Sequence, residues 1–231
     1  WFVFTIISLK TSLLTVKTIA VDFNRTDIYD KITRELSGVE VVDVLVNNVG
    51  TVYHIPEYFL KIGPKYNDQY LNVNVISAVK MIEIVLPQMC RNQRGIIINV
   101  SSQASESPIP MYTTYSASKA FVTFLSEGLS VEYESKGVYM QTVVPNQVHT
   151  KLTTNVSVPL ISVSAEDYVS AAIQTVGVEH YTYGHWKHKL LAYLADWVLY
   201  VIGRRLYMKV AMNGTQPMRR KYYTQNNMSD D

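Results

Sequence analysis

Three runs rich in β-branched residues, each stopping at a polar cluster, constrain this chain most. Val41–Val46, Gly95–Val100 and Val138–Val144 are predominantly apolar, the composition a parallel strand needs when helices cover both of its faces. They stop at Asn47-Asn48-Val49-Gly50, at Ser101-Ser102 and at Pro145. Helical spacing separates them. Thr26–Leu36 sets Ile28, Ile32 and Leu36 on one side, and longer helices are expected at about Gln69–Met89 and Thr114–Lys136. Gly137 stands where a left-handed residue closes the last of these. Ser164 reads as the N-cap of a further helix with Asp167 as its partner, and Gly177 as its stop. Strands alternating with helices at this spacing predict an α/β fold with a doubly wound parallel sheet.

Upstream, Leu13–Val21 reads as a strand ending at Asp22-Phe23. Trp1–Leu9 is apolar but too short to cross a bilayer, which takes ~20 residues. A buried strand fits it better than a membrane or interface segment. With 231 residues, the chain can cover both faces of a sheet. One cysteine, Cys90, rules out an internal disulfide and argues against a cysteine-based metal site, so no metal is expected. A net charge of +2 with no basic stripe before the tail argues against nucleic-acid binding.

Composition changes after His180. Leu190–Ile202 is strongly apolar, with Tyr193, Trp197 and Tyr200 interspersed and Arg204-Arg205 directly after. It reads either as a core or dimer-contact helix, or as a helix lying at a membrane surface, where Trp and Tyr favour the headgroup level. The membrane-surface reading is preferred. Residues 181–231 are therefore taken as an extension to a domain of residues 1–180, with the segment from Arg219 expected to be loose.

The chemistry-bearing pattern is Tyr115-Ser116-Ala117-Ser118-Lys119 at the start of a helix. Residues four apart share a helix face, and a neighbouring ammonium favours phenolate, so Lys119 is expected to draw the Tyr115 pKa down from its usual ~10. Such a tyrosine can exchange protons near neutral pH. A Tyr-x-x-x-Lys pair alone is common on helix surfaces. Ser102 sharpens the pattern, because it closes a buried parallel strand, and ligands of open α/β sheets sit beyond those strand ends.

From about Thr18 to Gly177 the sequence resembles the short-chain dehydrogenase/reductase family. Asn47-Asn48-Val49-Gly50 is similar to that family's Asn-Asn-Ala-Gly motif beside the cofactor. The resemblance implies a Rossmann-like sheet and assigns roles by position. Asp22 would contact the adenine ring, and Asn74 would hold a water for proton relay. Ser102 would hydrogen-bond the substrate carbonyl, Tyr115 would be the general acid/base, and Lys119 would bind the nicotinamide ribose. Asn48, Val148 and Thr150 match further cofactor-contacting positions, the last two less specifically.

Leu45-Val46-Asn47-Asn48-Val49-Gly50, Val85-Leu86-Pro87-Gln88-Met89, Glu132–Val138 and Pro145 through Lys151-Leu152 are similar to one branch of that family. It holds the 17β-hydroxysteroid dehydrogenases and very-long-chain 3-oxoacyl-CoA reductases. The branch implies ketone reduction on a lipid with NADP(H), at the endoplasmic reticulum membrane. The family pairs its subunits through two long helices, here Gln69–Met89 and Thr114–Lys136, which implies a homodimer.

Two departures stand out. The family's opening strand and Thr-Gly-x-x-x-Gly-x-Gly loop do not occur in residues 1–231, so the expected fold lacks the first β-α unit or units, and the strands flanking the gap should be exposed. The family's Pro-Gly is Pro145-Asn146 here, a mild change because Asn tolerates left-handed geometry. The missing loop leaves a second reading open, a non-catalytic relative acting as a membrane-associated interaction or dimerisation module.

Overall fold

The computed structural model describes residues 2–10, 13–150 and 161–228. Strands β1 (Phe2–Lys10) and β2 (Leu13–Val21) form an antiparallel pair of their own, with Phe2 opposite Val21. Helix α1 (Tyr29–Leu36) follows, with Ile32 and Leu36 buried as its spacing predicts. The central sheet is parallel and four-stranded, in the order β3 (Val44–Asn47), β4 (Gly95–Val100), β5 (Val138–Val143) and β8 (Tyr181–Thr182). A short parallel pair, β6 (Val148–His149) with β7 (Val163–Ser164), lies apart from it.

Register explains the core. Leu45 lies opposite Ile97, and Ile97 opposite Met140, so the three form one row across the sheet and all are buried. Helix α4 (Ser77–Asn92) packs on that row through Met81, Ile82, Val85 and Met89, and α5 (Thr113–Glu134) through Leu125 and Leu129. Asn47 Nδ2 donates to Asn99 Oδ1 at 2.8 Å, and Asn99 Nδ2 donates to Ser126 Oγ at 3.0 Å. This polar relay ties two strand ends to α5. Gly137, at φ +71°, makes the turn from α5 into β5. A Cβ there would fall 2.1 Å from the Gln93 carbonyl oxygen.

The opposite sheet face is covered unevenly. Gln141 is buried beneath the segment that follows α6 (Ala165–Ile173), donating to the Thr175 and Glu179 carbonyls. Ser164 caps α6 by accepting from the Asp167 amide, as expected. On β3, however, Val44 and Val46 are 49% and 51% exposed. The run Val41–Val46 is thus covered on one face, not two. β3 is the outermost strand of the sheet, and burial of an apolar run depends on what packs over it.

The helix expected from Gln69 begins earlier. After α2 (Phe59–Ile62) come α3 (Pro64–Tyr70) and then a π-helical stretch, Leu71–Ile76, that runs into α4. At the other end, α7 (Trp186–Ile202) and α8 (Arg204–Gln225) form two long helices joined at Gly203. The expectation of a loose tail from Arg219 is overturned. α8 continues to Gln225, with Arg219 and Tyr223 buried on it. They are held by Glu57: Arg219 Nε donates to Glu57 Oε1 at 2.7 Å, and the Tyr223 hydroxyl donates to Glu57 Oε2.

Candidate active site

The carboxyl ends of β4 and β5, the loop after β3 and the first turn of α5 meet around a cavity of about 690 Å³. Ser102, which follows β4, and Tyr115, on the first turn of α5, both line it. Ser102 also caps a short 3₁₀ turn by accepting from the Ala104 amide at 3.2 Å. Tyr112, Ile109, Asn146 and Gln147 continue the wall.

Lys119, one turn beyond Tyr115, is 6% exposed and donates to the Val100 carbonyl at 3.0 Å. Burial pushes its pKa down to about 8. The expected lowering of Tyr115 is not found. Burial pushes the Tyr115 phenol up, and the hydrogen bond from Ser102 opposes that rise. Desolvation of a phenolate outweighs help from a cation whose hydrogen bond goes to backbone.

Asn74 sits inside the π-helical stretch and is 2% exposed. A π turn re-aims side chains relative to a regular helix and is frequent at functional sites. Here the Asn74 amide is engaged by Thr51 and Ser118. Its Oδ1 accepts from Thr51 N at 2.7 Å, and its Nδ2 donates to the Thr51 carbonyl at 3.0 Å and to Ser118 Oγ at 2.9 Å. Ser118 Oγ in turn donates to the Tyr115 carbonyl at 2.7 Å. Asn74 is therefore linked to the Tyr115 backbone through one hydroxyl.

The remaining candidates are more scattered. Asp22 follows β2, and its Oδ1 accepts from the Asn24 amide at 3.0 Å. Asn48 donates its amide to the Val46 carbonyl at 3.1 Å and lies in the loop beyond β3. Val148 belongs to β6 and packs beside Val143, Val163 and Tyr168, while Thr150 is exposed at the edge of the described segment. Neither Val148 nor Thr150 is among the described residues lining the cavity. Lys151 and Leu152 lie outside the described residues.

Several participants escaped the sequence reading. Leu191, Ala195 and Leu199 of α7, with Tyr207, Thr215 and Met218 of α8, form a large part of the cavity wall. Their spacing of four was visible, but it marks any apolar helix face. Glu106 lines the same space, and its Oε1 accepts from Tyr181 at 2.7 Å and Tyr183 at 2.6 Å. Burial raises the Glu106 carboxyl above its ordinary range, against the lowering effect of the two phenols. Met111, with φ +70°, accepts from the Glu57 amide at 3.0 Å through its carbonyl and from the Thr215 hydroxyl at 3.4 Å through Sδ. This one residue joins the loop before α5 to the Glu57 loop and to α8.

The dinucleotide used by enzymes of this pattern can be tested against these side chains. A Cβ built on Gly50 would come within 3.4 Å of Lys119 Nζ and 3.7 Å of Asn74 Oδ1. The bare glycine backbone thus keeps open a notch edged by an ammonium and an amide, which fits the ribose and nicotinamide end. A glycine-rich turn for the pyrophosphate does not occur in residues 1–231.

The open parallel sheet is Rossmann-like, and the chain belongs to the short chain dehydrogenase family, which residues 5–159 match. Over 208 residues it is 43% identical to the very-long-chain 3-oxoacyl-CoA reductase of Mus musculus, covering 89% of this chain and 65% of that protein. The Homo sapiens protein of the same name is 42% identical over 212 residues. The chain thus spans about 65% of the length of the curated relatives it matches. Among solved structures, a short chain dehydrogenase from Burkholderia cenocepacia J2315 in complex with NADP is similar with TM-score 0.69 at 20% identity, over 84% of this chain and 77% of that one. One from Sphingobium yanoikuyae in complex with NADPH gives TM-score 0.63 at 24% identity, over 70% and 64% of the two chains. At these identities the structural likeness speaks for the fold.

Proposed function

We propose that this protein is the site-bearing part of an NADP(H)-dependent oxidoreductase that interconverts a ketone and a secondary alcohol on a lipid, a 3-oxoacyl-CoA foremost and a steroid next. The observation that carries the reading is Ser102 and Tyr115 on one cavity wall, with the Lys119 ammonium buried a turn behind. A carbonyl oxygen placed there accepts hydrogen bonds from both hydroxyls. A dinucleotide held there would supply hydride for the carbonyl carbon, and the Tyr115 phenol would supply the proton for the oxygen. Lys119 would bind the nicotinamide ribose and Asn74 would hold a water for proton relay, with Asp22, Asn48, Val148 and Thr150 as the further cofactor contacts. The 3-oxoacyl-CoA preference follows the names of the relatives at 42–43% identity. A cavity walled by Ile109, Leu191, Leu199 and Met218 suits an acyl chain.

NADP(H) is chosen from the branch resemblance, and the two solved relatives above carry that cofactor. The location proposed is the endoplasmic reticulum membrane. In this reading residues 1–180 are the dehydrogenase domain and 181–231 an extension, which opens with the last strand of the central sheet and supplies α7 and α8 to the cavity wall. The proposed assembly is a homodimer through Gln69–Met89 and Thr114–Lys136, supported by the exposure of Phe121, Phe124 and Val131 on α5.

The test is Tyr115→Phe in a chain that also carries a glycine-rich phosphate turn. NADPH-dependent reduction of a long 3-oxoacyl-CoA should fall at least ~10²-fold. Turnover within threefold of the parent would remove Tyr115 from the role of proton donor. A second reading, a non-catalytic interaction module, draws on the lack of that turn in residues 1–231. It predicts no saturable NADPH binding by any longer form of the protein.

A further inference from the structure

The 3₁₀ turn that Ser102 caps ends at Glu106, whose amide donates to the Gln103 carbonyl at 3.2 Å. Four residues of such a turn rise about 8 Å. Ser102 and Glu106 thus line one cavity from one stretch of backbone, Ser102 beside Tyr115 and Glu106 farther along. The Tyr181 and Tyr183 phenols both donate to Glu106 Oε1, which fills its two lone pairs. They restrain the carboxyl and leave Oε2 as its accepting atom. Oε2 has no donor among the described residues and is not enclosed by protein.

Two more hydroxyls of this wall have no partner among the described residues, that of Ser107, which is enclosed, and that of Tyr207 on α8. Burial raises the Tyr207 phenol, and the charges of Asp196 and Glu106 raise it further, so the three stand near one another. The cavity runs on from there. Tyr207 and Met218 both line it, and the α8 backbone between them rises about 16 Å. His54, which meets the Tyr222 hydroxyl one turn past Met218 at 3.1 Å, lines the far end. Two acids therefore mark one end of the space and a histidine the other.

This polarity narrows what can lie there. An alcohol both donates and accepts, so it can serve Glu106 Oε2 and the Tyr207 hydroxyl together, whereas an ammonium has no lone pair to offer. A plain alkyl chain pressed against Oε2 strips its water and returns no hydrogen bond. An anion would meet Glu106 and the exposed Asp196 with like charge.

We propose that Glu106 is a specificity-determining residue, selecting a lipid ketone that carries an alcohol remote from its carbonyl over the plain alkyl form and over one ending in an anion. The carbonyl then lies between Ser102 and Tyr115, the alcohol between Glu106 and Tyr207, and a phosphate-bearing end points towards His54. The inference deepens the proposed lipid-ketone reaction and rests on it for the position of the carbonyl. Its test reads binding, which needs no turnover.

Long-chain methyl ketones ending in a methyl, a hydroxyl or a carboxylate are prepared over a series of chain lengths. Their binding to the 231-residue chain is measured by equilibrium dialysis. At the best length the hydroxyl form should bind at least ~10-fold more tightly than the methyl form, and the carboxylate form more weakly than either. Glu106→Leu should erase the hydroxyl preference while keeping the affinity for the methyl form. Because Glu106 also ties Tyr181 and Tyr183, Glu106→Gln is the isosteric second variant. Its amide still bonds an alcohol, so the hydroxyl preference should persist, while the carboxylate form should gain at least ~10-fold. The comparison of the three forms on the unaltered chain needs no variant. Equal binding of the three, or binding of none, overturns the proposal. So does a hydroxyl preference that survives Glu106→Leu in a chain with the parent's circular dichroism spectrum, or tighter binding of an amino-terminated form. Hydroxyl-selective binding without reduction by any longer form of the protein would sink the proposed reaction and leave the recognition standing. NADPH-dependent reduction of the methyl form with no hydroxyl preference would do the reverse.

Discussion

Arg219 and Glu57 are 162 positions apart and form an ion pair with side chains 4% and 3% exposed. Replacing Arg219 with Met keeps a similar aliphatic volume and leaves a carboxylate in a dry site. Removing one partner of a buried pair costs about 3–5 kcal/mol, most of it the desolvation of the charge left behind. Glu57 would retain the Tyr223 hydroxyl and the Tyr58 amide, the latter at 2.7 Å, so the expected loss lies near the lower end, about 3 kcal/mol. Glu57→Gln should also destabilise, because the guanidinium loses its carboxylate while keeping the rings of Tyr223 and Tyr58, at 4.1 and 5.3 Å. The double variant should cost less than the sum of the singles by about 2 kcal/mol or more, because no unpaired charge remains. Urea unfolding followed by circular dichroism gives the energies. Amide exchange along α8 shows whether that helix loosens first, as it should if Glu57 is its anchor. Burial raises the Glu57 carboxyl, but the Tyr223 and Arg219 hydrogen bonds win and hold it below its ordinary 4.5. A depressed folded pKa adds stability above the unfolded value and loses it as pH falls below about 4.5. The wild-type advantage over Glu57→Gln should therefore shrink in acid. A loss under 1 kcal/mol for Arg219→Met, or additive singles, would show that the pair does not anchor α8.

Gly137→Ala should destabilise by more than about 1 kcal/mol in urea titrations, since φ is +71° and the new Cβ would meet the Gln93 carbonyl oxygen at 2.1 Å. Asn99→Ala strands the Asn47 amide and the Ser126 hydroxyl in the interior, an expected loss of about 1–3 kcal/mol, whereas Asn99→Asp should keep part of the relay if proton-bearing at low pH. Burial lowers Lys119 to about 8, so the folded chain releases this proton before the unfolded chain does. Its contribution to stability therefore rises between about pH 8 and the unfolded value of 10.5, and subtracting a Lys119→Met titration from the wild-type one should leave that slope.

Strand and helix alternation was legible because each of its signals is local. Gly95–Val100 and Val138–Val143 show their burial in consecutive residues, and Tyr115 and Lys119 show their shared face by a spacing of four. The cavity's far wall has no such local mark. Leu191, Ala195 and Leu199 look like any apolar stripe, and only the chain's path brings them over Ser102. The end of α8 misled for a related reason. Arg219-Arg220-Lys221 reads as solvated, and a buried arginine is betrayed only by an acid far away in sequence. Val44 and Val46 misled in the other sense. Their β-branched character fits a covered strand, but coverage belongs to the neighbour, and β3 lies at the edge of its sheet.

The same distinction bears on the chemistry. Spacing alone suggested that Lys119 would make Tyr115 more acidic, yet the ammonium is spent on the Val100 carbonyl and the phenol is buried. A tyrosine pushed upward keeps its proton through the neutral range, the state that the proposed role of proton donor requires. Ser102 works the other way, because its hydrogen bond to the phenol opposes that rise. Lys119, with its pKa lowered to about 8 by burial, adds a cation one turn behind the phenol below that pH. The proton affinities of the pair follow from how deeply it is buried, a property the four-residue spacing does not encode.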